Sequence, residues 1–399
     1  MGNRQKNLLV TGFAGLGDDG KTTHLLEVWG NISKTNRVKM ILPRPRAKAR
    51  VSEEYKEQLQ NIELHFAPFT TPRKSNLGAQ AITLLLYEIW VSFYLLISKP
   101  SLVYARTPWL GLVTLPARLK RIPLIIEVNG IAATELLLFS KSRLVGLLAR
   151  IFALVERVSY SRATGIVTVT ERLKDYLVEK YGLNPRKIWV IGNGVNVNLF
   201  QPLEQQQAKD LLSLEADYHY VTFVGELSPE QGVEHVIEAA PLILSQVPRT
   251  KFLIVGDGSE RVKWSNMVSR LNLDDAFIFT GRVPYQKVPL FINAGDVCAA
   301  LIRRKENAFS SVKMHEYMSC GRPIVAANNL AFGILEEYQT GFLVDPESPE
   351  QVAEAITKLL ENKELAEEMG RRGRKYVVEN RSWESAAQKV SQVCHEVTQ

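Results

Sequence analysis

The feature that most restricts how this chain can fold is an alternation repeated along its length. Short apolar runs recur at Leu8–Thr11, Val38–Leu42, Ile62–Phe66, Leu102–Ala105, Leu124–Val128, Gly165–Val169 and Ile188–Ile191. They resume at Tyr220–Val224, Phe252–Val255, Phe277–Phe279, Val297–Leu301, Ile324–Ala326 and Phe342–Val344, with helical patterns between them. Strands that are apolar on both faces and separated by helices belong to parallel sheets covered on both sides. At 399 residues the chain is long for one such sheet, and two α/β domains accommodate it better. The join falls in I-G-N-G-V-N-V-N-L-F, at Gly192–Phe200, whose glycines and asparagines tolerate positive-φ turns.

Charge is unevenly spread over the two halves. Residues 1–197 carry 28 Lys and Arg against 14 Asp and Glu, a balance of +14, whereas residues 198–399 carry 21 against 28, a balance of −7. The basic half suits an anionic membrane surface or phosphorylated substrates. No recognisable nucleic-acid module accompanies it, so no nucleic-acid partner is expected. Cys298, Cys320 and Cys394 show no paired spacing, which argues for a reducing compartment and against a disulfide framework or a zinc site. The apolar run Asn7–Phe13 is too short for a signal peptide. The expectation is a cytoplasmic protein, or one held peripherally at the inner face of the cell membrane.

The stretch Asp296–Asn328 reads as strand, basic loop, helix, turn and strand. Ser311 is a suitable N-cap for a helix from Val312 to Ser319, Gly321 ends it, and Pro323 precedes the next strand. A loop entering a helix N-terminus offers free amides to an anion, most naturally phosphate. Lys313 and Glu316, three apart, share one helical face. One supplies a cation and the other a bidentate acceptor for vicinal hydroxyls, so the pair suggests a nucleotide. An ordinary surface ion pair is the alternative.

E-Y-M-S-C-G-R-P-I-V-A, from Glu316 to Ala326, closely resembles the donor-sugar motif of family 4 glycosyltransferases, retaining enzymes of the GT-B fold. Gly192–Phe200 resembles the family's interdomain signature, and the segment around Trp383–Val397 resembles the helix that crosses back to the first domain. The resemblance implies two Rossmann-like domains facing across a cleft. Residues 1–197 would bind the acceptor, residues 198–380 the nucleotide-sugar, and residues 381–399 would form the returning helix. It implies transfer of a sugar from a UDP- or GDP-linked donor to a hydroxyl, with retention of configuration and no cofactor or metal besides the donor. The acceptor would be lipid-linked, a polysaccharide or a glycoconjugate.

By the same resemblance, Glu316 holds the donor ribose, while Lys313 and the Ser310–Ser311 amides hold the diphosphate. Gly225, Arg282 and Val283 lie in loops that border the nucleotide, and Gly15 and Gly17 in the glycine-rich loop after the first strand. Many members carry a His near the strand end Glu127-Val128-Asn129-Gly130; this chain has Asn129, which cannot take a proton at neutral pH. Glu127, Asn129 and Lys313 are the candidate catalytic groups. The Arg and Lys that grip the diphosphate in the family are replaced by Glu226 and Gln231, and the first Glu of the paired-Glu motif by Ala308. Arg303 and Arg304, in the loop before the helix, are candidates to restore that grip. These departures leave open a second reading, a non-catalytic nucleotide-sugar-binding partner of an active enzyme.

A third reading comes from Gly15-Leu16-Gly17-Asp18-Asp19-Gly20-Lys21-Thr22. It fits the P-loop pattern of a nucleotide hydrolase, with Lys21 on phosphate and Thr22 on magnesium. Asp18 and Asp19 would put two like charges in that cradle. Two long apolar segments complete the picture. Ala81–Ser98 carries Glu88 in its middle, which favours a packing helix over a membrane span. Leu136–Arg157 interleaves apolar residues with Lys141, Arg143, Arg150 and Arg157, fitting either an anionic surface or a core helix with solvated charges.

Overall fold

The computed structural model describes residues 6–13, 20–44, 56–70, 77–106, 110–134, 143–302, 312–329 and 332–398. Each expected apolar run forms a strand, with ends shifted by no more than four residues. The first seven are β1 (Asn7–Gly12), β2 (Arg37–Arg44), β3 (Ile62–Thr70), β4 (Leu102–Arg106), β5 (Leu124–Val128), β6 (Gly165–Thr168) and β7 (Ile188–Val190). They form a parallel sheet in the order β3-β2-β1-β4-β5-β6-β7. The others are β8 (His219–Val224), β9 (Thr250–Val255), β10 (Phe277–Gly281), β11 (Val297–Ala300), β12 (Ile324–Ala327) and β13 (Gly341–Val344). Their parallel order is β10-β9-β8-β11-β12-β13.

The chain divides into two compact units. One comprises Met1–Asn193 with Trp383–Gln399, and the other Gly194–Ser382. The first break therefore falls inside the Gly/Asn-rich segment. The final helix, Trp383–Glu396, packs Trp383, Ala386, Val390 and Val393 against Leu25 and Trp29 of the helix Gly20–Ser33 and against Leu8 and Val10 of β1. Neighbouring strand residues serve opposite faces. Leu9, Ile41, Val103 and Ile126 join Tyr87, Val91 and Leu95 of the helix Leu77–Ile97, as the two-residue period of a strand requires. The second unit repeats the plan, with Val221 and Phe223 on one face of its sheet and Tyr220 and Val224 on the other. Each such side chain contributes about 1.5–3 kcal/mol when fully buried.

In both sheets the strand order reverses direction once, between β1 and β4 and between β8 and β11. The crevice outside the carboxyl ends of the strands at such a point is where open α/β sheets bind ligands. Glu88 of the helix Leu77–Ile97 is buried and accepts the backbone N–H groups of Leu110 (2.8 Å) and Leu112 (2.9 Å). This is what allows a carboxylate in an apolar helix. The basic amphipathic segment differs from its expected bounds: the described helix is Arg143–Arg162, running five residues past Arg157, and 136–142 lies outside the described residues. Among the described residues no helix is long and apolar enough to cross a membrane, and no cluster of metal-ligating side chains occurs. All three cysteines are buried and free.

Candidate functional site

In the second unit the site is built where β8 and β11 meet. Tyr317, on the helix Val312–Ser319, accepts the Val224 N–H at 2.8 Å and so fixes the end of β8. Gly225 follows with φ +156°, and a Cβ there would stand 2.6 Å from the Lys313 Nζ. Gly232, at φ +68°, opens the helix Val233–Gln246; a Cβ on it would lie 1.8 Å from the Leu301 carbonyl oxygen. Only glycine meets both the left-handed backbone and that close approach.

Lys313 comes from the helix after β11 into this corner. Its Nζ donates to Gln231 Oε1 at 2.5 Å and lies 4.1 Å from the centroid of the Phe223 ring. Burial pushes its pKa down to about 7, against a smaller upward pull from Glu316. Glu316 is buried one turn further on, and its Oε1 accepts the Tyr285 hydroxyl at 3.0 Å. Burial pushes its carboxyl up to about 7, opposed by Tyr285 and Lys313. The ordinary surface ion pair, open from the spacing, does not form: Glu316 is buried, Lys313 is half-buried, and each has another partner. A cation does reach residue 231, brought by Lys313 from across the site. Glu226 is exposed, which leaves its charge in solvent.

Structure brings Gly225 and Lys313 together, with Glu316 one turn along the same helix. Arg282 is exposed, and Val283 is half-buried against the core of the second unit. Arg303, Arg304, Ala308, Ser310 and Ser311 lie outside the described residues, as do Gly15 and Gly17. Lys21 and Thr22 of the P-loop pattern fall in the helix Gly20–Ser33.

Glu127, one residue before the end of β5 in the first unit, has both oxygens engaged. Oε1 accepts Arg106 Nε at 2.9 Å and Asn129 Nδ2 at 2.7 Å, with His24 Nε2 at 3.3 Å; Oε2 accepts the Tyr104 hydroxyl at 2.8 Å. Burial would raise its pKa, yet the charges of His24 and Arg106 overcome this and hold it well below the usual carboxylate range. A carboxylate so occupied is an anchor for its neighbours: it orients Asn129 and ties β4 to β5, where Arg106 and Glu127 stand in register. His24 also meets Asn193 Oδ1 at 2.8 Å and the edge of Trp383, joining the two points at which the chain leaves and re-enters this unit.

Tyr285, His24, Arg106 and Tyr104 were not singled out by sequence. Arg106 had a readable signal, an opposite charge at the paired strand end. Tyr285 had none, being 31 residues from its partner.

Two doubly wound sheets, each with polar groups at its reversal point, define a two-domain α/β protein of the GT-B class. Residues 204–376 match the family model of glycosyl transferases group 1, and residues 24–199 that of glycosyltransferase family 4. The chain belongs to these GT-B glycosyltransferase families. A 2-deoxystreptamine glucosyltransferase of Streptomyces kanamyceticus is 32% identical over 175 residues, 43% of this chain and 44% of that protein. A D-inositol 3-phosphate glycosyltransferase of Acidothermus cellulolyticus is 32% identical over 210 residues, 50% of this chain and 46% of that protein. The chain thus spans about half the length of the curated relatives it matches. Among solved structures, Anabaena HepE in complex with UDP superimposes with a TM-score of 0.75 at 19% identity, covering 98% of this chain and 100% of the other. The same protein is also known in complex with UDP-glucose.

Proposed function

We propose that this protein transfers a sugar from a nucleotide-sugar, UDP- or GDP-linked, to an acceptor hydroxyl with retention of configuration. The observation that carries the reading is the convergence of a half-buried cation, Lys313, and a buried acid, Glu316, with Gly225 at the strand reversal of the second unit. Glu316 accepts the ribose hydroxyls. Lys313, together with Arg303, Arg304 and the Ser310–Ser311 amides, holds the diphosphate and neutralises its charge as the sugar departs. With cations and amides in that role, transfer proceeds without a metal. Asn129, oriented by Glu127, meets the acceptor side, and Gly15, Gly17, Arg282 and Val283 border the donor. The acceptor is lipid-linked or a growing glycoconjugate, met at the inner face of the cell membrane.

The test is a thermal-shift panel of UDP-, GDP-, ADP-, dTDP- and CMP-sugars with and without chelator, followed by turnover assays on the donor that binds. A magnesium-independent shift by a nucleotide-sugar supports the reading; a magnesium-dependent shift by ATP or GTP alone overturns it in favour of the P-loop. Glu226, Gln231 and Ala308, which depart from the pattern the chain resembles, favour the non-catalytic partner as the second reading. Tight donor binding with no turnover on any acceptor would establish that one.

A further inference from the structure

Three elements of the first unit leave apolar side chains in solvent on one continuous surface. On the helix Leu77–Ile97 the exposed residues are Ile82, Leu85, Leu86, Ile89, Phe93, Leu96 and Ile97, a stripe at helical spacing. The opposite side of that helix is already spent on the core, through Leu84, Tyr87, Val91 and Leu95. The helix Thr114–Leu119 exposes Leu115 and Leu119 one turn apart, and the helix Arg143–Arg162 exposes Leu147, Ile151, Leu154 and Val158. The stripes converge on a groove of about 690 Å³ lined by Phe93, Leu96, Leu115, Leu119, Leu154 and Val158. Phe93 is 60% exposed and Leu119 69% exposed, so neither contributes much to the fold. Contiguous apolar surface of this kind marks an interaction site.

The charges on the same elements select the partner. Within 77–99, 110–121 and 143–162 the only carboxylates are Glu88 and Glu156. Both are buried and accept backbone N–H groups, Glu88 from Leu110 and Leu112 and Glu156 from Ala132 and Ala133. Exposed charge there is positive: Lys99, Arg118, Arg121, Arg150, Arg157 and Arg162. Lys120 lies beside Leu119 and caps the end of the helix Leu77–Ile97 through the Leu95 and Leu96 carbonyls. An apolar face rimmed by cations alone complements an amphiphile with a negative head and a hydrocarbon body. A second copy of the chain would instead set these cations against each other.

We infer that this face is a membrane-docking platform, on which Phe93, Leu96, Leu119 and Leu154 enter the acyl region of an anionic bilayer while the surrounding lysines and arginines engage its headgroups. The platform deepens the proposal of a membrane-borne acceptor and rests on that reading for its purpose, though not for its physical chemistry. It predicts a binding mode that charge alone would not give. Headgroup attraction is screened by salt, whereas apolar insertion is not.

The experiment is vesicle co-sedimentation of the full chain with phosphatidylcholine alone or mixed with phosphatidylglycerol, at low salt and at about 1 M salt. Wild type should bind the mixed vesicles and keep a measurable fraction bound at high salt. Phe93→Glu and Leu119→Glu should each lower the partition coefficient tenfold or more at unchanged melting temperature, and Phe93→Leu should restore binding. Binding that salt abolishes entirely and that neither Glu variant weakens would overturn the platform. So would absence of vesicle binding, or a dimer in light scattering that the Glu variants dissociate. A parallel UDP-glucose thermal shift on wild type separates the two readings: no vesicle binding by wild type with the shift intact faults the platform alone, whereas vesicle binding with no shift from any nucleotide-sugar faults the transferase.

Discussion

The side chains at the strand reversal of the second unit make predictions of opposite sign from one substitution. Glu316 has its pKa raised by burial to about 7, from an ordinary 4.5. An acid whose folded pKa is raised contributes stability that is fully present below 4.5 and lost as pH rises through about 7. Glu316→Gln removes that loss, so at pH about 8 the empty variant should be more stable, on the order of 3 kcal/mol. Near pH 4 the two proteins should melt alike. Donor binding should move the other way, weakening by about 1–3 kcal/mol, because Gln offers a single oxygen and no charge to the ribose diol. Denaturant titrations at both pH values and a donor titration check this; equal donor affinity would remove Glu316 from the site. Lys313 sets the other limb of the pH profile. Its pKa lies near 7 from burial, so it loses charge above neutrality while Glu316 loses charge below it. Donor affinity should therefore peak close to pH 7, with proton uptake by Lys313 on binding a diphosphate. Calorimetry in two buffers of different ionisation enthalpy measures that proton. Glu316 was legible in the sequence because it stands in a motif. Its environment was not, because Tyr285, Phe223 and Gln231 reach the site from other strand ends.

Elements were more legible than side-chain partners. The central strands could be read because they are buried on both faces and so are apolar throughout, as in Val10, Val103 and Ile126. A helix hides more. The Leu77–Ile97 pattern gives an apolar helix but cannot say that one apolar side meets the core and the other meets solvent. The loop between β11 and the helix Val312–Ser319 carries its own prediction. Arg303, Arg304 and Lys305 concentrate positive charge immediately before the helix that brings Lys313 to Gln231. If they share the diphosphate with Lys313, Arg303→Ala and Arg304→Ala should each lower turnover by about ten- to a thousand-fold, the scale for removing one stabiliser of transition-state charge. Arginine's planar fork makes these two the better candidates. Wild-type turnover in both variants and in Lys313→Ala would show that the leaving group is stabilised elsewhere.

At the scale of the whole molecule, the chain crosses between its units twice, at Asn193–Gly194 and at Ser382–Trp383. The sequence located the first crossing through its glycines and asparagines, and the last helix was recognisable only by resemblance, since nothing local says which sheet will receive it. The packing supplies the reason it returns to the first. Trp383 is 1% exposed, and Val390 and Cys394 are buried beside it in the core that holds Trp29 and Leu25. Trp383 also meets the edge of His24, which contacts Glu127 and Asn193. Trp383→Ala should therefore destabilise the first unit by about 3–5 kcal/mol, the usual cost of removing a large aromatic from a core. The donor residues Glu316, Lys313 and Tyr285 all belong to the second unit, whose own core contains none of these side chains. A ligand that binds one folded unit raises that unit's stability by RT ln(1 + [L]/Kd), about 2.7 kcal/mol at a hundredfold excess over Kd. In scanning calorimetry, Trp383→Ala should bring the transition of the first unit to lower temperature, while the donor-dependent rise of the second stays close to that of wild type. If the variant instead loses the donor shift entirely, the nucleotide site depends on the first unit and its residues must be sought there too.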